Sequence, residues 1–235
     1  MLKIENGRYV HDTFTFDIEL YSDPAHLIAV LGPSGAGKST LLNIIAGFES
    51  MKQGRVLLSG QDITNFAPSS RQISMVFQDS NVFPHLTLWQ NVALGVAPNL
   101  RLNEMQRAAV DDALARVGLS SLTTRKPGNV SGGERQRVAL ARVLVRPTKI
   151  LLLDEPFAAL DPGLRQNMLG LVKNITQERG LVTLLVSHQP SEIRGFADGI
   201  VFVANGQVHH AVTPSVFFAN TTDFAISTYL GKAWR

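Results

Sequence analysis

The sequence predicts an α/β fold: a buried, mostly parallel sheet flanked by helices, with an antiparallel β-subdomain and an inserted α-helical subdomain. Three observations carry that prediction. Short apolar runs stop abruptly at glycine or polar residues, at positions 27–31, 74–77, 150–153 and 181–186, the pattern of strands buried on both faces and feeding loops. Helical patterns alternate with these runs, as crossover connections between parallel strands require. Between the second and third runs, over residues 87–145, the apolar spacing turns helical, as in Ala108, Val110, Leu114 and Val117.

Taken in order, the first 25 residues alternate like antiparallel strands. The first buried strand is entered through Ser22-Asp23-Pro24-Ala25 and leaves through a glycine loop that opens a helix at Lys38. Two further strands end in chemistry-bearing residues, Gln78 after the second and Asp154-Glu155 after the third, and the fourth ends at Ser187-His188. Groups at the carboxyl ends of such strands sit where an open α/β sheet takes its ligand. Near the end, Asn205-Gly206 between two apolar runs signals a hairpin. The chain reads as one domain over 1–235: core and β-subdomain at about 1–85 and 146–235, helical subdomain at about 86–145.

Bulk composition excludes several classes. Over 235 residues, apolar content is 45% and charged content 17%, an ordinary globular balance rather than disorder. A formal charge of +3 is too small to imply nucleic acid. The absence of cysteine removes disulfides and thiolate metal sites and fits a reducing compartment. The first 21 residues carry Glu5, Asp12, Asp17 and Glu19 and lack the apolar core of a signal peptide. The most apolar stretch, 150–160, contains Asp154 and Glu155, which at about 2.5–3.5 kcal/mol per acid would oppose insertion in a bilayer.

Gly32-Pro33-Ser34-Gly35-Ala36-Gly37-Lys38-Ser39 matches G-x-x-x-x-G-K-[ST] in the strand–loop–helix context that motif requires. Its glycines let backbone N–H groups surround phosphate oxygens, and the helix N-terminus adds partial positive charge. Lys38 would reach the β- and γ-phosphates and Ser39 would ligate Mg2+. Chance occurrence in this length is on the order of 1%, so the segment marks a nucleoside-triphosphate site. Asp154, delivered by a buried strand, suits Mg2+ held through water. Glu155 suits a general base for the attacking water. An acidic turn after a strand would look the same in isolation; the phosphate loop reverses those odds. Ser131-Gly132-Gly133-Glu134 makes a capping box for the helix that follows, yet two glycines in a first helical turn are destabilising, which fits backbone approach to a phosphate.

These segments, in this order, resemble the ATPases of ABC transporters, from the first strand to about residue 210. The resemblance implies a RecA-like P-loop NTPase core and an ATPase using ATP and Mg2+. Walker A would be residues 32–39, with Thr40 beside it, and the signature Ser131, Gly132, Gly133 and Glu134 would contact, in trans, the ATP held by a second copy. It further implies that Gln78 is the Q-loop glutamine near Mg2+, Asp161 the D-loop aspartate, His188 the switch histidine, and Tyr9 or His11 the aromatic stacked on adenine, with Tyr9 favoured for its larger ring. The signature departs in having Val130 for Leu and Glu134 for Gln. The implied partners are a head-to-tail second copy, transmembrane permease subunits docking near residues 82–92, and, indirectly, a periplasmic or extracellular solute-binding protein. No nucleic acid is expected, and the implied location is the cytoplasmic face of a bacterial inner membrane. Residues 97–103, 155–162 and 164–166 are similar to the ATPases of bacterial thiamine importers, with sulfate, iron and polyamine importers as alternatives. Rivals are an ABC ATPase acting off the membrane and a P-loop kinase or GTPase.

Overall fold

The computed structural model describes residues 1–24, 26–78, 81–220 and 223–231, with backbone only at His210 and Ala211; Ala25 of the predicted strand entry therefore lies outside the described residues. In chain order the elements are β1 (Leu2–His11), β2 (Phe14–Ser22), β3 (His26–Leu31), α1 (Lys38–Ala46), β4 (Gln53–Leu58), β5 (Gln61–Asp62), β6 (Ile73–Val76), α2 (Leu88–Ala93) and α3 (Glu104–Arg116). There follow α4 (Gly132–Leu144), β7 (Ile150–Asp154), α5 (Pro162–Glu178), β8 (Val182–Val186), α6 (Pro190–Ile193), β9 (Gly199–Ala204), β10 (Gln207–Val212), α7 (Pro214–Ala219) and α8 (Phe224–Leu230). The chain forms two compact units, Met1–Ile73 with Lys149–Asp154 and Lys173–Arg235, and Ser74–Thr148 with Glu155–Val172.

In the first unit the strand order is β5-β4-β1-β2-β10-β9-β3-β8-β7. The sheet is mixed. β3 pairs in parallel with β8 and β9, and β8 with β7, whereas β1 runs antiparallel to β2 and β4. Sequence pattern explains the division. Every residue of β7 and β8 is buried, as expected of strands covered on both faces, while β2 alternates buried and open positions as a half-solvated antiparallel strand does. Leu151, Leu152 and Leu153 are fully buried, each contributing about 1.5–3 kcal/mol from loss of apolar contact with water. The Asn205-Gly206 hairpin forms as the sequence predicts, joining antiparallel β9 and β10, with both residues at positive φ, 51° and 71°.

The second unit holds the predicted helices. α2, α3 and α4 pack on one another, and each opens with a complete capping box: Thr87 with Gln90, Asn103 with Gln106, and Ser131 with Glu134. Besides these helices the unit holds residues 74–85, the turn after Asp154 and the first part of α5, up to Val172.

Candidate active site

Register places three loops at one edge of the first unit's sheet. Val30 of β3 lies opposite Val186 of β8, and Val186 lies opposite Asp154 of β7. Because the three strands run parallel, the glycine loop after Leu31, the Ser187-His188 pair and Asp154 all emerge at their carboxyl ends. Asp154 is 8% exposed; His188 is exposed.

The glycine loop is shaped for anions. Gly32 has φ 149°, and a Cβ there would overlap the Val203 carbonyl oxygen, so only glycine fits. The N-cap of α1 is Gly37, with no side-chain cap, in contrast to the three capping boxes of the second unit. Gly37 offers no side chain to cap α1, and the helix dipole there favours a negative ligand. Lys38 is 6% exposed, and its Nζ donates to the carbonyl oxygens of Gly32 at 2.9 Å and Pro33 at 2.8 Å. In this state the lysine lies along its own loop. Ser34, Gly35 and Ser39 are exposed, with Ala36 and Thr40 half-buried.

The aromatic candidates separate. Tyr9 is 7% exposed and its hydroxyl donates to Glu49 Oε2 at 3.1 Å; burial first, then the Glu49 carboxylate, raises its pKa. The His11 side chain is 69% exposed, its ring parallel to that of Tyr9 within 3° and 6.4 Å away between centroids. Phe14, which the sequence reading passed over, borders the phosphate loop: a Cβ on Gly37 would lie 3.1 Å from Phe14 Cζ. No local pattern distinguishes Phe14 from other strand aromatics.

The remaining candidates belong to the second unit. Gln78 is exposed in a turn after β6. Glu155 is half-buried at φ 49°, an uncommon conformation for a residue with a side chain and one that clusters at functional sites. Asp161 Oδ1 accepts from Leu164 N at 3.0 Å, which caps the start of α5. In the signature, Ser131 Oγ accepts from Glu134 N at 3.2 Å, and Glu134 Oε2 accepts from Ser131 N at 2.6 Å. These reciprocal bonds make Ser131 and Glu134 the capping box of α4. The Ser131 N–H, then its hydroxyl, holds the Glu134 carboxyl below its ordinary range.

Two residues outside the predicted set support the site. Arg71, 4% exposed, donates Nη1 to the Ile44 and Ile45 carbonyls at 2.9 Å each, Nε to Phe66 O at 3.0 Å and Nη2 to Thr64 O. It thereby satisfies the carbonyl end of α1, where a cation also complements the dipole. Arg165 donates to Leu160 O at 2.8 Å and Phe157 O at 3.2 Å, fixing the turn that carries Asp161. Nothing in the local sequence flags either arginine, since their acceptors are backbone carbonyls.

The donor chemistry fits Mg2+. Ser39 and Asp154 offer hard oxygen ligands, and among the described residues no group of three His, Cys, Asp or Glu could hold a metal. Mg2+ at phosphate sites needs no such cage, being held by one or two protein oxygens plus phosphate and water.

A glycine loop opening an uncapped helix, with an acid pair and a histidine after neighbouring parallel strands, defines a P-loop ATPase of the cassette type. A family model described as ABC transporter matches residues 15–158, and the chain belongs to that family. It is an ABC-type ATPase. It is 49% identical over 225 residues, 96% of this chain and 88% of the relative, to a protein of Mesorhizobium japonicum named thiamine import ATP-binding protein ThiQ. A protein of the same name from Ruegeria is 47% identical over 231 residues, 98% of this chain and 100% of its own. Among solved structures, the dimeric post-hydrolysis state of the ATP-binding cassette MJ0796 bound to ADP and Pi superposes with a TM-score of 0.80 at 29% identity, covering 91% of this chain and 99% of that one.

Proposed function

We propose that this chain is the ATP-hydrolysing subunit of a thiamine importer, energising uptake of thiamine or thiamine pyrophosphate through separate membrane subunits. The observation that carries the reading is near-full-length identity of 47–49% to relatives named for thiamine import. Sulfate, iron and polyamine importers share the short motifs, and the whole-chain likeness favours thiamine over them.

In this reading the Walker A backbone (Gly32 to Thr40) cradles the triphosphate, and Lys38 leaves the Gly32 and Pro33 carbonyls for the β- and γ-phosphates. Ser39, Gln78 and Asp154 would hold Mg2+, Asp154 through water, and the ion would supply positive charge against the phosphate oxygens. Glu155 orients and deprotonates the attacking water, and His188 contacts the γ-phosphate. The Tyr9–His11 pair forms the adenine platform, with His11 its open outer face. Ser131, Gly132 and Gly133 of a second copy close the site head to tail, with Asp161 crossing the interface. Dimeric assembly of the MJ0796 cassette supports this arrangement.

Docking of the membrane subunits is assigned to a groove of about 500 Å³ in the second unit, lined by Met75, Phe77, Phe83, Arg142 and Arg146 among others. No helix among the described residues is long and apolar enough to cross a membrane. In the proposed reading, such partners hold the chain at the cytoplasmic face of the membrane. The deciding experiment is uptake of labelled thiamine by cells whose only thiamine route is this importer, carrying either the native chain or Glu155→Gln. Loss of thiamine uptake with sulfate and polyamine uptake unchanged supports the reading; unchanged thiamine uptake with an expressed variant overturns it.

A further inference from the structure

The segment that precedes α2 is held by a side chain from inside that helix. Asn91 is fully buried. Its Oδ1 accepts from Phe83 N at 2.7 Å. Its Nδ2 donates to Phe83 O at 3.1 Å and Thr87 O at 2.9 Å, with a longer contact to Leu86 O at 3.4 Å. One amide thus ties both backbone groups of Phe83. The helix does not need that amide to begin, because Thr87 and Gln90 already close its first turn. Leu88, Val92 and Ala93 of α2 are buried and apolar. An asparagine buried beside them is costly unless its hydrogen bonds are made, and those it makes reach back to Phe83.

Phe83 itself is 43% exposed. Its ring is held as well as its backbone. The Arg142 guanidinium of α4 lies over it, 5.7 Å from the centroid, while Arg142 Nη2 donates to Asn81 O at 2.8 Å. The His85 ring meets it edge-on at 6.1 Å. An exposed aromatic fixed in this way loses little freedom when a partner covers it, which is what an interface anchor requires. Phe83 lines the groove of the second unit together with Met75 and Phe77. Arg142 and Arg146 line it too, and no acid is among its described lining residues. That lining suits an apolar polypeptide segment that brings a carboxylate.

We propose that Asn91 is a positioning residue for coupling to the membrane subunits: it holds Phe83 in the exposed geometry that receives such a segment. The inference rests on the assignment of this groove to the membrane subunits. Asn91 then acts on docking through Phe83 and leaves the hydrolytic site alone. Its removal therefore costs docking only while a phenylalanine stands at position 83.

The test measures the affinity of the full chain for the membrane subunits that co-purify with it, held in nanodiscs. The chains compared are native, Phe83→Ala, Asn91→Ala and the double variant. Basal ATPase activity without membrane subunits is the control. Asn91→Asp, which keeps an acceptor for the Phe83 N–H and removes the amide donor, is a second variant. Phe83→Ala and Asn91→Ala are each expected to weaken docking about tenfold. The double variant is expected to be weaker than Phe83→Ala by less than about twofold, and Asn91→Ala to keep native basal activity. A merely structural asparagine gives losses that multiply in the double variant, and that result overturns the proposal. Loss of basal activity in both Asn91 variants also overturns it. If Phe83→Ala docks like native, the groove assignment falls and takes this inference with it. If Phe83→Ala docks weakly while Asn91→Ala docks like native, the inference alone falls.

Discussion

Gly133 of the signature packs directly on Leu160: a Cβ at position 133 would lie 2.5 Å from Leu160 Cδ2 and 3.6 Å from the Ala159 carbonyl oxygen. The second signature glycine therefore also leaves the space that the Leu160 side chain fills within the second unit. Leu160 precedes Asp161, so the signature turn and the D-loop turn share one contact. Overpacking of this kind costs about 1–3 kcal/mol. Gly133→Ala is expected to lower the stability of the chain by that amount in urea unfolding and to abolish ATPase activity, while nucleotide affinity of the isolated chain stays native.

Lys38→Ala removes the cation proposed to bind the nucleotide phosphates. A charge-assisted hydrogen bond contributes about 1.5–3 kcal/mol, so ATP affinity is expected to fall roughly 10- to 100-fold, measured by titration with a non-hydrolysable ATP analogue. Near-native ATPase activity in this variant would remove the phosphate-loop assignment.

Glu155→Gln retains size and the ability to accept a hydrogen bond but loses the carboxylate proposed as general base. General-base catalysis contributes typically 10²- to 10⁴-fold, and turnover is expected to fall within about that range with ATP binding intact. The same variant should accumulate as an ATP-bound dimer in size-exclusion chromatography. A chain that stays monomeric in saturating ATP counts against the two-copy site.

Glu134 stands with its carboxylate on the Ser131 N–H, close to where a phosphate from a second copy would approach. Its folded pKa lies below the ordinary value of 4.5, so it is charged at neutral pH. The stabilisation it lends the α4 cap is complete above that ordinary value and is lost as pH falls through the lowered folded one. Glu134→Gln is expected to erase this acid-side dependence in thermal unfolding. With one negative charge removed beside the phosphate position, it is also expected to tighten ATP-driven dimerisation at low salt, an effect that shrinks as salt screens the charge.

Arg71 offers a purely structural check. Its guanidinium serves four backbone carbonyls from within the protein, and a Cβ on Gly47 would lie 2.5 Å from its Nε. A lysine has no planar fork to reach that set. Arg71→Lys and Arg71→Met are both expected to destabilise the chain by about 3 kcal/mol in urea unfolding. A lysine variant of native stability would show that charge alone suffices there.

Much was legible from the sequence because the relevant physics is local. The phosphate loop, the acid pair after β7, the Asn205-Gly206 turn and the capping boxes at Thr87 and Ser131 all depend on residues within a few positions of one another. Local pattern also marked β3, β7 and β8 as buried strands, since continuous apolar runs have no open face. What the sequence alone determined, then, is the class of chemistry and the set of loops that carry it.

Tertiary structure decided which residues hold those loops in place. It turned the Tyr9 hydroxyl to Glu49 and left His11, two residues on along the same strand, exposed. It brought Phe14 to Gly37, Leu160 to Gly133, Arg71 to the end of α1, and Tyr229 to Phe202. Each of these contacts joins positions far apart in the chain or depends on the path of a strand. A contact between distant residues leaves no periodicity in the sequence; it exists only once the sheet has fixed where each loop begins.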